Sequence, residues 1–203
     1  MSKQSYRKAY HRFFEDYAEI RTPNEKGREV IRRVYVGQYF KTALDDRTHR
    51  RRKGIILALF LLSAVLCLYG GLTAPASGAR FTALLTMASL LSLVLLGVSV
   101  FYRLTAPREM EKRVYRDSSE RLRTTGFLSA VCLLFTAVGM LITALGNEAY
   151  VLSDNGTGIL AFTLAGAAAL GLALLEKKTG YDVLPPKHQR PEGAAPIRYE
   201  APD

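Results

Sequence analysis

The sequence predicts an all-α membrane protein: four transmembrane helices arranged as two antiparallel hairpins, preceded by a small cytoplasmic N-terminal region. Two observations carry this reading. Four apolar runs, 54–74, 81–102, 125–145 and 157–175, contain no Asp, Glu, Lys or Arg. Each is long enough, at 1.5 Å rise per residue, to cross a hydrocarbon core of about 30 Å. The charged residues are gathered into the stretches between and around these runs, whereas a soluble domain interleaves them at helical or strand period.

The distribution of Lys and Arg sets the expected orientation. Residues 1–53 hold 15 basic against 7 acidic residues, and the loop 103–124 holds 7 against 4. The connection near residues 75–80 has only Arg80, and the connection 146–156 has Glu148 and Asp154 without a base. Both termini and the middle loop are therefore expected in the cytoplasm. The first span is expected to act as an uncleaved signal-anchor, since its apolar run starts only at residue 54. The expected location is a cell membrane, of bacterial type, crossed several times.

In the N-terminal region, Tyr6, Tyr10, Phe13, Tyr17 and Ile20 recur at steps of four and three. That spacing predicts an amphipathic helix with an aromatic face, ended by Pro23 and followed by a turn over 24–27. Residues 29–36 are dense in β-branched side chains, followed by Gly37 and then Tyr39 and Phe40, and predict either one strand, or two with a bend at Gly37, or a short amphipathic helix. A lone strand needs a partner for its backbone. Tyr6, Tyr10, Phe13, Tyr17, Val34, Tyr35 and Val36 are therefore the candidate partner-binding residues, the partner being another protein or a second copy of the chain.

From Thr42 the chain is expected to become helical and run into the first span. The run Arg50, Arg51, Arg52, Lys53 abuts that span and reads as an anchor at the membrane interface rather than a nucleic-acid patch. Small residues recur at helical spacing in the spans, most regularly Ala161, Ala165, Ala169 and Ala173 in the fourth. In lipid such stripes let helices approach closely, within one chain or between copies. Leu62-Ser63-Ala64-Val65 in the first span resembles Leu128-Ser129-Ala130-Val131 in the third, as a duplicated hairpin would.

In the middle loop, Pro107 in a first turn and Met110, Val114, Ser118 and Leu122 at steps of four predict a short amphipathic helix. The tail, residues 176–203, has Pro185, Pro186, Pro191 and Pro196 with few large apolar groups, and is expected to be disordered.

Chemistry-bearing motifs are absent from the sequence. No ionisable residue falls inside a span, which argues against a proton-coupled carrier. His11, His49 and His188 are scattered and read as solvated, and Cys67 and Cys132 lie in spans as packing residues. Asn155-Gly156-Thr157 matches a glycosylation sequon at the edge of the fourth span. No catalytic, cofactor or metal residues are assigned, and no nucleic-acid partner. The expected function is a non-enzymatic accessory subunit or scaffold docking a partner through its N-terminal region. The alternative is an oligomeric channel lined by the Ser and Thr faces of the second and third spans.

Overall fold

The computed structural model describes residues 16–23, 29–146 and 150–187. Four helices dominate it: α1 (Asp46–Thr73), α2 (Arg80–Thr105), α3 (Lys112–Gly146) and α4 (Leu152–Lys177). All four are long and apolar enough to cross a membrane. Asp45 starts α1 by accepting the Thr48 amide at 3.3 Å, which satisfies one of the free donors of a first turn.

Two compact units divide the described residues: 42–108 with 113–146 and 150–181, and 16–23 with 29–41, 109–112 and 182–187. In the helical unit, α4 packs most extensively on α3 and next on α1, while α2 packs chiefly on α3. The consecutive helices α1 and α2 touch much less.

Side chains in this unit are distributed in the reverse of a soluble bundle. Leu72, Leu84, Met87 and Leu91 stand more than 60% exposed, as do Phe135 and Ile142. The interior is filled by small and hydroxylic residues together with a few large ones such as Leu96, Leu133 and Phe162. Outward-facing leucine and inward-facing serine is the arrangement expected when the solvent is hydrocarbon, where close backbone approach and interhelical hydrogen bonds hold helices together. Ser63 donates to the Ala165 carbonyl (2.9 Å) and Ser129 to the Ser92 carbonyl (3.0 Å), so the matching serines of the two similar strings both bond a neighbouring helix. Ser89 and Thr136 share a hydrogen bond of 2.8 Å.

Ala161, Ala165, Ala169 and Ala173 are all buried within the chain, on α4. Gly126 of α3 sits on the same stripe, where an added Cβ would lie 3.2 Å from that of Ala173. At the other end, α1 and α4 cross at Gly70 and Gly158. A Cβ on Gly158 would overlap that of Ala74, and one on Gly70 would come within 2.9 Å of the Phe162 ring. Asn155 is buried beside this crossing: it accepts from the Ala76 amide at 2.7 Å and donates to the Val151 carbonyl at 2.9 Å. Its amide is thus committed to the fold rather than presented as a glycosylation acceptor.

The second unit is a small β assembly. β1 (Tyr17–Pro23) pairs antiparallel with β2 (Glu29–Tyr35), with Tyr17 opposite Tyr35. β3 (Tyr39–Thr42) lies between β4 (Glu109–Glu111) and β5 (Tyr181–Leu184) in a second sheet, whose end residues Thr42 and Tyr181 count with the helical unit. The chain bends between β2 and β3 at Gly37.

Several expectations need correction. Tyr17 and Ile20 lie in strand β1, because their backbone is paired with β2; the rest of the predicted aromatic helix, Tyr6 to Phe13, lies outside the described residues. The strand 29–35 is not a lone strand, since it pairs along one edge with β1 within the chain. Met110 belongs to β4, whose register places it opposite Phe40, and helix α3 starts only at Lys112. The tail does not begin at residue 176: α4 continues through Lys177, and β5 adds to the sheet beside β3.

Candidate functional site

The chemistry-bearing side chains of the helical unit converge on one end, where α2 and α4 finish and α1 begins. Asp46, His49 and Lys53 follow one another at steps of three and four, so they share a face of α1. Both outer members bond to the segment that ends α2. Arg108 donates from Nη1 to Asp46 Oδ1 at 2.7 Å and from Nη2 to the Leu44 carbonyl at 2.5 Å. Lys53 Nζ donates to the carbonyls of Leu104 (2.7 Å) and Ala106 (2.9 Å). These carbonyls lie at the open end of α2, where a cation is favoured by free acceptors and the helix dipole. His49 is held between these two contacts and is buried, not solvated as its isolation in the sequence implied.

Of the four basic residues read as an anchor, Arg50 and Arg51 are exposed. Arg52 reaches the end of α4 instead, donating to Thr179 and, at 3.5 Å, to the Leu175 carbonyl. Arg52 and Lys53 therefore close the ends of two different helices.

A buried ion pair lies at the same end. Arg103 Nε donates to Glu176 Oε1 at 3.0 Å, with both side chains 1% exposed. Ser119 Oγ donates to that oxygen at 2.6 Å, and so does the Tyr181 hydroxyl. Ser119 is placed by a π-helical turn, Arg116–Glu120, near the start of α3; such turns recur at functional positions. The Tyr181 ring stands edge-on to Tyr115, with centroids 4.8 Å apart, and the Arg103 guanidinium lies over it at 6.0 Å. Burial first, then the neighbouring Glu176 carboxylate, pushes the Tyr181 phenol above its ordinary pKa.

Sequence reasoning passed over this pair because Arg103 and Glu176 each stand one residue beyond a span. The readable signal was opposite charge at the same end of two spans, the last helical turns of α2 and α4.

The sequence-predicted docking residues fall elsewhere. Tyr35 is buried in the β unit, donating to the Gln38 carbonyl (2.9 Å) and accepting from the Lys112 amide (3.1 Å). Tyr17 and Tyr39 meet its ring edge-on at 5.3 and 5.1 Å, and Tyr17 donates to Glu111 at 2.7 Å. Val34 and Val36 are half-buried, and Tyr6, Tyr10 and Phe13 lie outside the described residues. Among the described residues no group of three His, Cys, Asp or Glu side chains could hold a metal.

No protein-family model, curated protein or solved structure matches this sequence.

Proposed function

We propose that the chain is a multi-pass protein of a bacterial-type cell membrane, with two antiparallel helical hairpins and cytoplasmic termini. In this reading it acts as a non-enzymatic accessory subunit or scaffold whose N-terminal region docks a protein partner. The observation that carries the choice is the use of the span hydroxyls. Ser89, Ser92, Ser129 and Thr136 are buried and bonded between or along α2 and α3, which favours a packing role over the lining of a pore. The orientation rests on the excess of Lys and Arg in 1–53 and 103–124. With Tyr17 and Tyr35 engaged inside the β unit, the docking face narrows to Tyr6, Tyr10 and Phe13 and the flank of Val34 and Val36.

The test is mass spectrometry of what co-purifies at native expression in mild detergent. A stoichiometric protein partner is expected, released by the double change Tyr10→Ser and Phe13→Ser without loss of membrane insertion. Retention of that partner by the double variant would overturn the docking face. A homo-oligomer with nothing attached, passing solute or ions in liposomes, would overturn the scaffold reading in favour of the channel.

A further inference from the structure

Arg121 of α3 holds its guanidinium over the ring of Tyr102 of α2, 5.9 Å from the centroid. Both side chains are exposed, and among the described residues this guanidinium makes no hydrogen bond or ion pair. The nearest acid in the chain, Glu120, stands one position earlier on the helix and so does not face it. Arg50 and Arg51 are exposed as well, but neither has a ring beside it. Contact with a ring face settles a guanidinium without using its N–H groups. Arg121 is therefore a positioned cation whose donors are free.

The pair stands where the uncharged runs of both helices end. Tyr102 is the last residue of the run 81–102, and Arg121 lies four residues before the run 125–145. Four residues are about 6 Å of helix, close to the thickness of the headgroup layer that flanks a hydrocarbon core. Beyond the pair the outward faces are apolar. From Tyr102, steps of four lead to Val98 and Val94; from Arg121, steps of seven lead to Leu128, Phe135 and Ile142, all of them exposed. An occupant that suits both parts carries an anion at the level of Arg121 and hydrocarbon along the helices. A free phosphate satisfies only the first.

We propose that Arg121 and Tyr102 bind the phosphodiester headgroup of an anionic phospholipid. The guanidinium donates paired N–H bonds to the phosphate oxygens, and the acyl chains lie along the outward faces of α2 and α3. The ring holds the guanidinium in place beforehand, which lowers the ordering cost of binding. Arg116 and Arg123, exposed on the same segment, disfavour a headgroup that carries its own cation, such as choline. The site rests on the membrane reading above and is independent of the docking face.

Full-length protein is reconstituted in nanodiscs of equal parts phosphatidylcholine and phosphatidylglycerol. The lipid each chain keeps on transfer to mild detergent is then counted by native mass spectrometry. Phosphatidylglycerol is expected to be kept in preference to phosphatidylcholine. Arg121→Gln is expected to lower that retention about tenfold, as the loss of a charge-assisted hydrogen bond does. Tyr102→Leu keeps an apolar group at the end of α2 and is expected to weaken retention about threefold. Arg51→Gln removes the same charge from an arginine that no ring holds, and is expected to leave retention unchanged. Should Arg121→Gln fail to insert, Arg121→Lys carries the same test, since it keeps the charge but loses the paired donors and the flat face. Equal retention of the two lipids, wild-type retention by an inserted Arg121 variant, or an equal loss in Arg51→Gln would each overturn the site and leave the membrane reading standing. Protein that never enters the nanodisc would overturn the membrane reading, and the site with it.

Discussion

The two units of this chain solve opposite problems with their polar groups. In the helical unit the ion pair of Arg103 with Glu176 is shut away at 1% exposure and serine and threonine hydroxyls bond between helices, while Arg108 with Asp46 and Arg113 with Asp117 remain open to solvent. In the β unit the ion pairs are open to solvent: Lys187 with Glu109 at 2.7 Å, Lys41 with Glu109 at 3.7 Å and Lys112 with Asp16 at 3.8 Å. Exposed pairs contribute little, because water screens them and two long side chains must be held in place. The β unit therefore leans on its strand pairing and on the rings of Tyr17, Tyr35 and Tyr39, stacked edge to face. The buried polar contacts of the helical unit are shielded from water, so each weighs more than an exposed one.

The sharpest way to break that contrast is at Glu176. Replacing it with Leu leaves the Arg103 guanidinium buried without its counter-charge, a change expected to cost about 3–5 kcal/mol. Changing both partners, Arg103→Met with Glu176→Leu, removes the stranded charge and is expected to restore most of that loss. Chemical unfolding of the single and double variants in detergent checks this. A single change costing nothing would mean that the pair is hydrated and that the two units do not differ as described.

A smaller effect separates two glycines of α4 only two positions apart. A Cβ at Gly156 meets nothing within 4 Å, whereas one at Gly158 meets Ala74 Cβ and, at 3.2 Å, the Gly70 carbonyl. Alanine is the better helix former by about 0.5–1 kcal/mol, so Gly156→Ala is expected to stabilise slightly. At Gly158 the same change forces α1 and α4 apart and is expected to cost about 1–3 kcal/mol. Opposite signs for one substitution, read from the same unfolding experiment, would tie the cost to the crossing with Gly70 rather than to propensity.

How much of this was legible in the sequence follows the same division. The four helices were readable because an uncharged run of span length has few other meanings, whereas the β-branched run before Gly37 fitted a strand or a short helix alike. Strand β1 was not, since Tyr17 and Ile20 fit a helical period and nothing local announces their pairing with Tyr35 and Arg32. β4 and β5, of three and four residues, are too short to show an alternation. The candidate site escaped for a different reason. His49, Arg103, Arg108 and Glu176 come from separate stretches of the chain, and only the packing of helix ends brings them together.

The least of the expected effects uses pH, and it pulls the two units apart at opposite ends of the scale. Tyr181 in the helical unit has a phenol pushed above its ordinary value of 10.0, by burial and then by Glu176. In such a group stability is fully present below the ordinary value and is lost as pH rises through the window above it. Glu109 in the β unit has a carboxyl held below its ordinary 4.5, chiefly by the hydrogen bond from Lys187. Its contribution is present above that value and is lost as pH falls beneath it. Hydrogen exchange should therefore show α4 amides loosening first above pH 10 and β3–β4 amides below pH 4.5. Tyr181→Phe should remove the alkaline response, and Lys187→Ala the acid one, which will be slight because that pair is exposed. If both units loosen together at each extreme, they unfold as one cooperative body, and the contrast in their polar contacts has no consequence for stability.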